Sequence, residues 1–296
     1  MRLSGISALT VLAMVFASSC QKTEEKGNLI QFVDPFIGTG GHGHTFPGAT
    51  LPFGMVQLSP DNNHEGWDWC SGYHYSWDTI AGFSHTHISG TGAPDLMDIR
   101  ILPVELPVAE KEKLSSFPSN RQYALFSHED EKAMPGYYSV VLKNGIHAEL
   151  TATKRTGMHR YTFVSGNIPA VVLDLGSLVS WDKVKGSAVK KEGSDLLSGY
   201  RFSSGWASNQ KVFFRMQSSL ALSDIWLIGH DGNLSPFTGE AITNSNQPAL
   251  KVLVTFQPDG TRPLLIKTGI SSVSTDGAGN NLFTENPGWD FDGIRK

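Results

Sequence analysis

The sequence predicts an all-β fold, an antiparallel β-sandwich, and three observations carry that expectation. Short runs rich in β-branched and aromatic residues recur along the chain, separated by Gly, Asn or Pro. Asn144-Gly145 joins two alternating runs, 137–142 and 146–153, which is the strongest short-range hairpin signal because both turn residues must accept positive φ. Beyond the first twenty residues, no stretch keeps a helical apolar period for three turns. With 296 residues, 40% of them hydrophobic, the chain can bury one large core, and sandwiches of this size form single domains.

At the start, Arg2 precedes an apolar run that closes on Ala17, Ser18 and Ser19 before Cys20. Residues 1–19 therefore have the layout of a signal peptide, with an apolar run too short to span a bilayer comfortably. Small residues directly before a cysteine resemble the bacterial lipobox, so Cys20 is expected to carry lipid. That makes the chain an exported, membrane-anchored lipoprotein of a Gram-negative bacterium, at the outer membrane, the cell surface or in the periplasm. Ordinary cleavage with Cys20 as a bystander is the alternative. Residues 20–28 are polar and read as a tether. Cys70 is then the only cysteine left, and is expected to be buried as a small apolar residue. A net charge of −4 without a Lys/Arg cluster argues against nucleic acid as a partner.

The folded part is expected over 29–285, opened by alternating apolar residues at 31–36. Residues 38–98 collect six of the ten histidines and three of the seven tryptophans. Gly and Pro interrupt them too often for a helix or long strand, so they are expected to form loops laid over a rigid body. Within them 55–58 reads as a short strand, and 79–83 as a strand or a single helical turn. Residues 99–108 read as extended, with Pro103 and Pro107 marking edge or terminal positions; 111–120 read as a solvated connection. After the hairpin, β-rich runs follow at 159–164, 170–175, 199–202, 211–220, 251–257 and 264–271. Val212, Phe214 and Met216 alternate with polar neighbours, as expected when one face is buried. Residues 286–296 read as a helix or linker beginning, with Pro287 suited to a first turn.

The chemistry lies in 38–98. His42 and His44 form one His-X-His pair, His85 and His87 another, and on an extended segment each pair shares a face, as a metal site or a hydrogen-bonding surface requires. Asp61, Glu65, Asp68, Asp95 and Asp98 are the carboxylates within reach. Trp67 and Trp69 flank Asp68; on a strand the two indoles share a face, and indole beside carboxylate suits a sugar, whose apolar face stacks while its hydroxyls bond to Asp. Trp67, between Gly and Asp, is expected to be exposed to ligand, and Trp69, next to Cys70, to be buried.

Several longer motifs then carry a resemblance. Val33 to Thr39 (VDPFIGT), Phe46-Pro47-Gly48-Ala49 with Pro52-Phe53-Gly54-Met55, Gly66-Trp67-Asp68, Ser71-Gly72-Tyr73, residues 82–92 (GFSHTHISGTG), 149–153 with 159–161, 267–271 and Pro287-Gly288-Trp289-Asp290 resemble the amino-terminal domain of glycoside hydrolase family 92, the exo-acting α-mannosidases. The resemblance implies a galactose-mutarotase-like β-supersandwich that packs against a larger (α/α)6 catalytic domain. It implies an inverting, calcium-dependent reaction on α-1,2-linked mannose of N-glycans or mannans. The catalytic acid and base and most calcium ligands belong to the second domain, which this sequence ends before. The chain is therefore expected to supply one wall of the sugar pocket and to be inactive alone, with no catalytic residue and no metal ligand of its own. Trp67 is the first candidate for sugar contact, with Asp68, Trp69, His85 and His87 beside it. A stand-alone glycan-binding lipoprotein and a His-based metallohydrolase are the rival readings.

Overall fold

A computed structural model describes residues 29–296 apart from 165, 177–181 and 261. The signal peptide, Cys20 and the tether lie outside the described residues. The chain divides between Phe32 and Val33. Of the first unit, only the short 3₁₀ turn Leu29–Phe32 is described. The alternating apolar residues at 31–36 form no strand. Pro35 offers no N–H to a ladder, and the Phe36 N–H instead donates to Asp34 Oδ1 at 2.9 Å, closing a turn.

The second unit is antiparallel throughout. Its strands run β1 (Ala49–Thr50), β2 (Gln57–Asp61), β3 (Thr79–Ile80), β4 (Gly82–Ser84), β5 (Arg100–Pro107), β6 (Ala124–Leu125), β7 (Glu131–Met134), β8 (Tyr137–Val141), β9 (His147–Ala152) and β10 (Thr156–Thr162). They continue with β11 (Asn167–Asp174), β12 (Lys183–Lys191), β13 (Leu196–Ser204), β14 (Gln210–Ser218), β15 (Leu222–Ile228), β16 (Leu234–Pro236), β17 (Glu240–Asn244), β18 (Lys251–Phe256) and β19 (Leu264–Ser271). One sheet has the order β1-β2-β4-β5-β11-β18-β15-β16 and the other β17-β12-β13-β14-β19-β10-β9-β8-β7, with β3-β6 as a separate small pair. The inner faces meet where Phe83 of the first sheet lies 6.4 Å from the Tyr138 ring and 6.3 Å from the Tyr161 ring of the second. All three rings are fully buried. This is the predicted sandwich.

Local details follow from the residues. On β14, Val212, Phe214 and Met216 are buried, the alternation read from the sequence. Pro103 falls inside β5, but β4 meets β5 only at Phe83–Ile101, so one flank of the strand has no ladder partner where the proline sits. The Asn144-Gly145 hairpin forms, with Tyr137↔Thr151 to Val141↔His147 in register. Its turn departs from the expectation. Gly145 alone has a positive φ, +88°, and its N–H bonds to Leu142 O at 2.8 Å while Leu142 N–H bonds to Ile146 O at 2.9 Å. The loop is thus three residues long, a turn followed by a glycine bulge.

The helix at the carboxyl end starts earlier than expected. Helix α1 covers Thr275–Glu285, with the Ser274 hydroxyl accepting from Gly277 N–H at 2.9 Å. Its two glycines and two asparagines make it a poor helix by propensity, which hides it in the sequence. Packing supplies what propensity lacks, since Ala278, Gly279 and Leu282 are buried against the second sheet. Gly269 on β19 permits this close approach: a Cβ there would stand 2.3 Å from Ala278 O. Residues 286–290 are not helical, and α2 (Phe291–Arg295) follows, capped by Asp290. The buried Lys267 ammonium donates to the carbonyls of Asn286 and Gly288 at 2.8 and 3.2 Å and lies 4.5 Å from the Trp289 ring centre.

Candidate functional site

Trp67–Trp69 is a single 3₁₀ turn rather than a strand. Successive side chains therefore fan around an axis, and the two indoles do not share a face. Trp67 is 57% exposed. Its ring packs edge-on against His44 at 4.2 Å and, tilted, against His42 at 5.1 Å. Gly92, at φ +64°, lies under its edge, where a Cβ would come within 3.0 Å of Nε1. Trp69 turns inward. It is half-buried, with His64, His74 and Trp77 at 4.2, 4.8 and 5.6 Å, so it supports the loop rather than presenting a second platform. Cys70 is buried behind it, and burial pushes its thiol pKa up, which disfavours a thiolate nucleophile.

Asp68 receives a hydrogen bond from His42 Nδ1 at 2.6 Å and stands 3.7 Å from His44 Nε2. The hydrogen bond from His42 is the main reason its carboxyl is held below the usual range. Three constraints hold the loop bearing His42. His74 Nε2 bonds Gly41 O at 3.0 Å, and Thr45 N–H bonds Gly38 O at 3.3 Å. Gly43 packs so tightly that a Cβ would fall 2.1 Å from Gly38 O.

The second His-X-His pair is interior. His85 is fully buried: Nδ1 meets Ile99 O at 2.7 Å and Nε2 lies 3.2 Å from His159 Nε2. Burial lowers its pKa to about 4 and that of His159 well below the usual value. His87 donates through Nδ1 to Gln57 O at 2.7 Å, while Nε2 lies 2.8 Å from Asp61 Oδ1 and 3.1 Å from Ser84 Oγ. Both ring nitrogens of each histidine are engaged within the protein. Expected as substrate contacts, His85 and His87 instead stand beneath the loop surface, because their rings tie that surface to the sandwich.

The other carboxylates are also committed. Asp61 holds His87. Asp95 accepts from Trp206 N–H and Gln210 Nε2, both at 2.7 Å. Asp98 accepts from Arg201, at 2.5 Å, and from Thr86 Oγ1, at 2.6 Å. Among the described residues no group of three or more His, Cys, Asp or Glu is arranged to hold a metal ion. The sequence names His42, His44 and Asp68 but not their contacts, and it leaves out the packing of Gly92 under Trp67. The separations of His42 from Asp68 and of Gly92 from Trp67, 26 and 25 positions, carry no spacing signal.

Together the fold and this loop face define a β-sandwich domain that presents one exposed indole among imidazoles and a carboxylate. The Glycosyl hydrolase family 92 N-terminal domain profile matches residues 32–271. The chain belongs to that family. It is 27% identical over 290 residues to an uncharacterized secreted glycosidase of Arthroderma benhamiae, covering 91% of this chain and 37% of that protein. Its fold superimposes with a TM-score of 0.79 on a family 92 α-mannosidase of Bacteroides thetaiotaomicron solved in complex with mannoimidazole, at 31% identity over 90% of this chain and 35% of that one. A family 92 inverting mannosidase of the same organism shares the fold, with a TM-score of 0.73 at 24% identity. The chain thus spans little more than a third of the length of these relatives.

Proposed function

We propose that this chain forms the amino-terminal sandwich of an inverting, calcium-dependent exo-α-mannosidase acting on α-1,2-linked mannose of N-glycans or mannans, and supplies one wall of its sugar pocket. The observation that carries this reading is Trp67, more than half exposed on a loop held by imidazole contacts and a glycine. An indole fixed in that way offers a flat apolar face to a pyranose, with polar groups at its rim for hydroxyls. Similarity to the mannosidase solved with mannoimidazole supports mannose as the sugar.

Hydrolysis with inversion needs two carboxyl groups roughly 6.5–9.5 Å apart with space for water between them. The resemblance implies an acid, a base and a calcium site in a second domain, and the burial and bonding of Asp61, Asp95 and Asp98 support that reading. Lipid on Cys20 would hold the protein at the membrane.

Incubation of the purified chain with α-1,2-mannobiose, with calcium and with chelator, tests the reading. No mannose release is expected, together with weak mannoside binding that is lost in Trp67→Ala. Calcium-dependent release by this chain alone would overturn the assignment of the acid and base. Micromolar affinity without any partner domain would favour a stand-alone glycan-binding lipoprotein.

A further inference from the structure

His42 is the most exposed polar side chain against the Trp67 indole, 74% accessible, on a loop anchored at Gly38, Gly41 and Gly43. Its Nδ1 lies 2.6 Å from Asp68 Oδ1. A carboxylate accepts and does not donate, so Nδ1 carries the hydrogen, and in the neutral ring Nε2 is left as an acceptor on the opposite side of the imidazole. No described protein group bonds to Nε2. The ring centre is 5.1 Å from the indole, so His42 borders the platform on which a hexose would stack.

We propose that His42 is the hydroxyl-binding side chain of the Trp67 face, that Asp68 is a positioning residue fixing its tautomer, and that the ligand is a hexopyranose. The proposal rests on the reading of this face as a sugar wall and names the polar partner within it. It also reassigns Asp68. Its Oδ1 is committed to His42 and lies beside His44, so that oxygen acts through the imidazole.

Nitrogen NMR of the labelled imidazoles, with methyl α-mannopyranoside titrated into the full chain, tests this directly. The free protein is expected to show His42 in the Nδ1–H form, and the sugar to move Nε2 while leaving the His85 and His159 signals in place. His42→Phe keeps a ring beside Trp67 and is expected to weaken binding about fivefold to tenfold, the equivalent of one hydrogen bond. Asp68→Asn is expected to weaken it less and to redistribute the His42 tautomers. An Nε2 signal unmoved at saturating sugar, or full affinity in His42→Phe, would overturn the proposal while leaving the sugar wall standing. Wild type showing no response to mannoside at any residue would remove the wall and the proposal with it. The wild-type titration stands even if a variant fails to fold.

Discussion

His42 and His44 flank one glycine and stand against an exposed indole; His85 and His87 flank one threonine and are sealed inside the molecule. The two pairs have the same spacing and opposite surroundings. In the first, His42 projects outward, 74% accessible, whereas His44, at φ +56°, is buried edge-on against the indole. In the second, Thr86 is bonded to Asp98 and both neighbouring rings are tied to carbonyls, a carboxylate and a third imidazole. The first pair thus splits, with one ring at the surface and one beneath it, whereas both rings of the second lie beneath the loop and tie it to the sandwich.

The contrast is broken most severely at the carboxylates. Asp61→Ala is expected to lower the unfolding free energy by about 3 kcal/mol, because it strips a buried imidazole of its acidic partner. Asp68→Ala, beside the exposed His42, is expected to cost far less, because solvent screens the pair. Urea denaturation of both variants checks this, and equal losses would erase the distinction between the two pairs.

Acid should also separate them. The folded-state pKa of His85, about 4, lies below its ordinary 6.5. Between those values the unfolded chain binds more protons, so stability is full above about pH 6.5 and falls as the pH drops towards 4, by about 3 kcal/mol for this residue. His159 is shifted in the same direction and adds to the slope. Unfolding measured at pH 7 and pH 4.5 gives the slope, and His85→Asn should flatten it.

Two smaller effects sharpen the surface side. Gly92→Ala places a side chain at φ +64° and 3.0 Å from the Trp67 Nε1, with an expected cost of about 1 kcal/mol and reduced mannoside affinity. Trp67→Ala should change stability by no more than about 0.5 kcal/mol, as an exposed substitution, yet abolish the binding signal. A large stability loss in Trp67→Ala would instead mark the indole as core.

Much of the sheet was legible. The Asn144-Gly145 hairpin and the alternation on β14 are periodic and local, so residues near in sequence carry them. Strands β12 and β15 were not predicted: one mixes Lys, Gly and Ser, the other is half-buried along most of its length, and neither alternates cleanly. Helix α1 was hidden by its glycines and asparagines. At the site, the exposure of Trp67 follows from its Gly and Asp neighbours, whereas the burial of His85 and His87 carries no local signal.

What the sequence determined by itself is what short-range physics can encode: strand periodicity, turn chemistry, the glycine-rich character of residues 38–98 and the motifs of the family. Only the tertiary structure decided which histidines are buried and which are exposed, since that depends on packing partners far away in the chain. His85 meets His159 across 74 positions and His42 meets Asp68 across 26. Desolvation and hydrogen-bond geometry at those encounters, rather than residue type or spacing, separate a buried strut from an exposed ring.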